Sequence, residues 1–148
     1  MAFESGPYVQ IAAFCERVLE EKDGVLSLIR IIDRLTHTAT GADAPSDMPP
    51  LNYQMSLVLA LKNGQARGSH DLRVVRELPS GIREESEAPT FRIPFEGEGD
   101  RGQNLVLQLQ LTFPLEGLYW FDVFLDDQVL TRIPFRVVYA RISQGAPR

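Results

Sequence analysis

One cysteine, two histidines and one tryptophan in 148 residues leave little room for several kinds of chemistry. With Cys15 alone, no intrachain disulfide can form. Secreted sandwich-sized domains often carry one, so its absence points to a reducing compartment and a cytoplasmic location. His37, His70 and Cys15 stand far apart and show no zinc-type spacing. Cys15 itself lies in the run Ile11-Ala12-Ala13-Phe14-Cys15, a setting in which thiols are usually buried and inert. Apolar runs stop at five residues, far short of the roughly 20 that a bilayer span needs, so no membrane partner is expected. Met1 to Pro7 carries Glu4 and lacks the basic start and apolar stretch of a secretory signal. Positive charge is also scarce: 15 Lys and Arg face 20 Asp and Glu, for a net charge of −5. That balance repels phosphate backbones and argues against nucleic acid as a partner.

Catalytic patterns are missing as well. There is no phosphate loop or nucleophile elbow, and the Gly97-x-Gly99 run is no dinucleotide fingerprint, because no helix follows it. Ser69-His70-Asp71 holds the residue types of a hydrolase triad, but consecutive strand residues point to opposite faces and cannot align as one. His70 is expected to be half-buried or at an edge, on the face of Leu72 and Val74. No pair of carboxylates sits in an apolar setting that would tune it for acid–base work. We therefore expect neither enzyme activity nor a cofactor.

What the chain does have is a period of two. Leu105, Leu107, Leu109, Leu111 and Phe113 alternate with Val106, Gln108, Gln110 and Thr112, the pattern of a strand with one buried face. Tyr53, Met55, Leu57, Leu59 and Leu61 repeat it, with Gln54, Ser56, Val58 and Ala60 on the other side. Further strands are expected at 8–15, 25–33, 69–76, 90–95, 118–125 and 129–139, separated by Gly, Pro and Asp. About eight strands and no helix predict an all-β fold, a two-sheet antiparallel β-sandwich. One domain spans 1–148, with an ordered core at 8–141.

Two hairpins can be registered from their facing residues. A two-residue Asp23-Gly24 turn would set Arg17 against Arg30. A three-residue loop, Lys22-Asp23-Gly24, instead sets Glu16 opposite Arg30, Val18 opposite Leu28 and Phe14 opposite Ile32, with Gly24 in the left-handed position. For the last hairpin, parity decides. Tyr119, Phe121, Val123 and Leu125 can share a core with Val129, Thr131, Ile133, Phe135, Val137 and Tyr139 only across an odd connection, and Asp126-Asp127-Gln128 supplies three residues. Pro134 cannot donate to a ladder and marks an edge or a bulge. Arg92-Ile93-Pro94-Phe95 recurs as Arg132-Ile133-Pro134-Phe135 without matching flanks, which reads as two edge strands built alike.

Gly117-Leu118-Tyr119-Trp120-Phe121 resembles the tyrosine corner of immunoglobulin-like sandwiches, where a Tyr opens the strand after a sheet-to-sheet crossing. A second resemblance runs through Cys15-Glu16-Arg17-Val18, Asp23-Gly24-Val25-Leu26-Ser27-Leu28-Ile29 and Ile32-Asp33. This hairpin, with the closing Gly-x-Tyr strand pair, is similar to a family of small uncharacterised bacterial proteins. The resemblance implies the immunoglobulin-like architecture and no activity.

Three segments read as loops: 36–50, expected to be mobile; 79–89, with Glu84, Glu85 and Glu87 opposed by Arg83; and the acidic, Gly-rich 96–104. Glu96, Glu98 and Asp100 alternate with glycines, and Asp126 and Asp127 could join them at a loop tip. That set supports an alternative reading as a calcium-dependent or small-ligand binding domain. The leading expectation is a non-catalytic module that binds a protein, or itself, by a sheet face or an edge strand. If Tyr119, Phe121, Val123 and Leu125 face the core, Leu118, Trp120 and Phe124 face outward around Asp122. The next strand adds Leu130, Arg132 and Arg136, an aromatic and arginine makeup typical of interface hot spots.

Overall fold

The computed structural model describes residues 4–86 and 88–142. These form ten strands: β1 (Tyr8–Glu20), β2 (Leu26–Ile32), β3 (Arg34–Thr40), β4 (Leu51–Lys62), β5 (Gly68–Glu77), β6 (Arg83–Glu84), β7 (Thr90–Phe95), β8 (Gly102–Phe113), β9 (Gly117–Leu125) and β10 (Gln128–Ile142). They build two layers. One sheet runs β2-β1-β4-β8; the other runs β3-β10-β9-β5-β6, with β7 also on β5. No helix of the described residues is long and apolar enough to cross a membrane.

The alternating leucines do what their period requires. Met55, Leu57, Leu59 and Leu61 of β4 and Leu107 and Phe113 of β8 point between the layers, against Leu72, Val74, Tyr119, Phe121, Phe135 and Val137 of the other sheet. Phe14 closes the centre, edge-on to Phe121 at 4.8 Å and to Phe135 at 5.3 Å. The opposite face of β4 departs from expectation. Ser56, Val58 and Ala60, expected to be wet, are buried too. They lie on a central strand, flanked by β1 and β8, whose neighbouring side chains cover these small residues. Cys15, paired with Ser56, is wholly buried on the same face, and burial pushes its thiol pKa up.

The first hairpin has the three-residue loop. Phe14 pairs with Ile32 and Val18 with Leu28, Glu16 binds Arg30 at 2.9 Å, and Gly24 takes φ +86°. Arg30 has φ +57°, a rare conformation inside a strand. The last hairpin reaches its parity by another route. Only Asp126 and Asp127 connect the strands, since Gln128 already pairs with Leu125. A bulge between Val129 and Thr131 then inserts the extra residue. Ile133, Phe135 and Val137 face the core as expected, whereas Val129 is exposed.

Two loops were longer in expectation than in the molecule. Residues 34–40 form β3, which runs parallel to the end of β10 and breaks the all-antiparallel pattern. Its Thr36, Thr38 and Thr40 suit a strand, but an edge position leaves it few large apolar residues to reveal it. His37, expected alone in a mobile loop, stacks on Tyr139 at 5.8 Å. The rest of that loop is pinned, not free: Tyr139 Oη donates to the Pro45 carbonyl at 2.7 Å, Arg141 to the Ala44 carbonyl at 3.1 Å, and Met48 is buried in the core. In the other loop, β6 pairs Arg83 and Glu84 with Glu77 and Arg76.

Both Arg-Ile-Pro-Phe segments are edges of the same sheet. Ile93 and Phe95, like Ile133 and Phe135, are buried, with Pro94 and Pro134 outside. Arg136 N donates to Asp33 on the side away from β9. Residues two apart on a strand direct their backbone groups alike, so Pro134 sets its donorless nitrogen at the open edge. The tyrosine corner is present as well. Tyr119 Oη donates to the Leu115 carbonyl at 2.6 Å and accepts from Leu115 N at 3.0 Å. Gly117, at φ +131°, leaves no room for a Cβ, which would lie 2.9 Å from Pro79. The architecture is an immunoglobulin-like β-sandwich.

Candidate functional site: the outer face of the six-stranded sheet

Alternation puts Leu118, Trp120, Asp122 and Phe124 of β9 on the side away from the core, because Tyr119, Phe121, Val123 and Leu125 fill it. The register then decides their neighbours. Arg73 of β5 lies opposite Phe124, Val75 opposite Asp122 and Glu77 opposite Trp120. Arg132 of β10 lies opposite Asp122, Pro134 opposite Trp120 and Arg136 opposite Leu118.

Asp122 organises the face. It is a carboxylate only 3% exposed on the outside of a sheet, and such a group needs charged partners. Arg132 Nε donates to one of its oxygens at 2.7 Å, and Arg83 Nη1 to the other at 2.8 Å. Arg83 comes from β6 and also holds Glu77 at 3.1 Å. The hydrogen bond to Asp122 raises the pKa of this guanidinium, with Glu77 adding to it. From these anchors the guanidiniums lie on the rings. Arg132 stacks on Trp120 at 4.6 Å, and Arg73 and Arg83 flank Phe124 at 5.2 and 5.9 Å. Trp120 and Phe124 are thus half-buried under arginine and Leu118 is half-buried on the same face, while Arg132 and Arg136 reach solvent.

Five of the six expected interface residues therefore share one surface. Leu130 does not: at the bulge it packs against the core cluster. The segment 41–50 stays at Tyr139 and Arg141 and does not bond to this face. Arg83 and Arg73 were missed as members. Arg83 sits in a stretch that reads as a loop, 39 residues from Asp122, and nothing local announces the contact. Arg73 could have been found by extending the register from β9 to β5.

The acidic set does not assemble. Among the described residues no group of three or more His, Cys, Asp or Glu could hold a metal ion. Glu96, Glu98 and Asp100 belong to a loop held by its backbone: Asn63 Nδ2 donates to the Glu96 carbonyl at 2.6 Å, and Gly64 N to the Gly99 carbonyl at 2.9 Å. Asp126 is occupied elsewhere, by His70 Nδ1 at 2.8 Å and Asp71 N at 3.1 Å, while Asp127 stays exposed. His70 sits half-buried beside Phe95, on the face of Leu72 and Val74. Its second nitrogen meets the Arg67 carbonyl at 2.9 Å. Two acceptors on one ring favour the imidazolium, so the Asp126 bond, then the carbonyl, raise the His70 pKa. The same bond lowers that of Asp126.

Among solved structures, the chain is similar to an immunoglobulin-like protein from Pseudomonas aeruginosa, with 15% identity, 90% of this chain and 98% of that chain covered, and a TM-score of 0.41. It is also similar to the CARDB domain of a Pyrococcus furiosus protein in complex with di-metal ions, with 12% identity, 90% and 95% coverage, and a TM-score of 0.42. No curated protein matches the chain. A family model spans residues 10–138, nearly the whole sandwich, and the chain belongs to that family, described as a family of unknown function (DUF6941).

Proposed function

We propose that the chain is a non-catalytic protein-interaction module, working in the cytoplasm, that docks a protein partner on the outer face of its six-stranded sheet. The observation that carries this is the fixed array around Asp122. One nearly inaccessible carboxylate holds Arg83 and Arg132, and Arg132 in turn lies on an outward-facing Trp120. Side chains locked before contact lose little freedom on binding, and Trp and Arg are the types that dominate binding energy. The partner's contacts would fall on Trp120, Phe124 and Leu118, with Arg132 and Arg136 at the rim. Free, buried Cys15 is consistent with a reducing setting.

A photo-crosslinking amino acid at Leu118, compared with one at exposed Glu20 on the first hairpin, tests this in the cells that make the protein. The expected result is a discrete adduct from position 118, absent from position 20 and abolished by Arg132→Ala. A doubled mass in the adduct would identify the partner as a second copy. Equal adducts from both positions, or an adduct indifferent to Arg132→Ala, would refute the reading.

A further inference from the structure

Sheets end in edges, and edges expose backbone groups that can pair with another chain; proteins protect them with Pro, charge, brevity or distortion. Here the protections are easily found. β7 carries Pro94, the free half of β10 carries Pro134, β6 has two residues, and β2 is distorted at Arg30. β8 has none of these. It is twelve residues long, ends its sheet, and from Gln103 to Phe113 contains neither a proline nor a charged residue.

The layer beneath this edge is also incomplete. Leu105, Leu109 and Leu111 share the inward parity of buried Leu107 and Phe113, yet remain half-exposed. β7 pairs with β5 only from Gly68 to Arg73, and β6 only at Arg76 and Glu77. Between them Val74 N meets only the Pro89 carbonyl, at 3.2 Å. The result is a cleft of about 520 Å³ that reaches the core, lined by Val74, Phe121, Leu109, Leu111, Ala88 and Pro89. At its rim Arg76 is paired with Glu84 at 2.6 Å and donates to the Thr112 carbonyl at 2.9 Å.

Register and that last bond orient β8. Asn63 N donates to the Arg101 carbonyl at 2.7 Å in the β4–β8 register, so odd-numbered β8 residues bond β4, and the Thr112 carbonyl, taken by Arg76, points away from it. Backbone groups of residues two apart point alike, so Val106, Gln108 and Gln110 direct three N–H and three C=O groups to the open side.

We propose that this edge and cleft form a docking slot for an extended, uncharged peptide segment, which adds to β8 as a further strand and sends its alternate apolar side chains into the gap. Charge and size select this occupant. The pairing length of β8 is neutral, and the ions that line the cleft among the described residues, Arg76 and Glu84, neutralise each other, so a charged segment would meet no counterpart among them. The slot is also narrow. β5 lies below β8, as the Arg76–Thr112 bond shows, so β6 and β7 stand one strand further out. Their projection admits a single strand and obstructs a second folded copy from pairing edge to edge. Strand addition of this kind draws affinity from main-chain hydrogen bonds and specificity from pockets for alternate side chains.

The test uses the full chain and a peptide of alternating valine and threonine with lysine pairs at both ends. It is titrated while the amide resonances are followed by NMR. Shifts are expected at Val106 to Gln110 and at Val74, with none at Trp120. N-methylation of alternate residues along one edge of the peptide should weaken binding at least tenfold, whereas methylation along the other edge should leave it unchanged. Gln108→Pro removes only an outward donor, so it should fold and lose binding; if it does not fold, the methylated peptides decide between pairing and no pairing. Arg132→Ala should bind as the wild type does, which separates this slot from the Trp120 face. No shifts at millimolar peptide, equal binding of both methylated forms, equal binding of a scrambled peptide, or a concentration-dependent dimer with shifts at β8 would each overturn the proposal.

Discussion

Replacing Asp122 with Asn changes almost nothing in shape and removes the charge on which the outer face is built. In the native protein, the two carboxylate oxygens each accept one arginine bond, at 2.7 and 2.8 Å. The amide keeps one oxygen and turns an NH2 group toward the other guanidinium, donor against donor. A hydrogen bond to a charged group contributes about 1.5–3 kcal/mol, and stranding a buried partner adds to the loss. Here the arginine side chains are 46% and 30% exposed and can turn to water, which moderates the cost to about 2 kcal/mol. For a domain of this size that lowers Tm by about 4–8 °C. Urea unfolding should show a lower midpoint with an unchanged slope. Because Trp120 is the only tryptophan, its emission reports the release of Arg132 directly, by a red shift and stronger acrylamide quenching. Asp47→Asn, on the exposed segment before Met48, serves as a control without effect. A loss below about 0.5 kcal/mol with unaltered emission would show that Asp122 does not organise the face, since it would be worth no more than an exposed pair.

Other perturbations follow from the same physics. Tyr119→Phe removes the hydroxyl that joins both backbone groups of Leu115, and chemical denaturation should show a loss of about 1–2 kcal/mol. His70 has a raised pKa in the folded state, so its contribution is complete below about pH 6.5, the ordinary unfolded value, and fades as pH rises through the folded one. Stability measured from pH 6 to 9 should therefore fall in the wild type relative to His70→Gln; parallel curves would disprove the link. Asp126, whose pKa is lowered, contributes above its ordinary value near 3.8 and loses that contribution as pH falls through the folded one. Arg30→Gly relieves a backbone at φ +57° while giving up an exposed ion pair with Glu16. Thermal melts should show a net gain of up to about 0.5 kcal/mol, the strain outweighing the pair.

Period-two leucines carried the architecture, because a residue that alternates in sequence has one place to go in a half-buried sheet. The register of the first hairpin followed from charge alone, Glu16 having a partner in Arg30 and Arg17 none there. The last hairpin shows the limit of that reasoning. Parity required an odd count, and the chain met it with a bulge at Leu130, which is why Leu130 left the surface assigned to it. β3 escaped notice because edge strands bury little, and its threonines resemble loop chemistry as much as strand. Of the site, the half on β9 was readable, since inward Tyr119 and Phe121 force Trp120 outward. The half carried by Arg83 was not, because a contact between distant segments exists only once the layers are stacked.

At one margin the crossing from layer to layer is a single residue, Asp33, between Ile32 of β2 and Arg34 of β3. Two residues of backbone can span no more than about 7 Å, so along that margin the layers are bound like pages at a spine. The opposite margin is crossed by the six-residue turn 96–101 near one corner and by the three residues 114–116, beside the Arg76 bond, at the other. Thermal breathing must then be hinged, smallest at Asp33 and greatest along the β8 margin, where the connections are longer. Amide exchange should grade across the sandwich in that order, with the slowest protons near the binding and the fastest at the fore-edge.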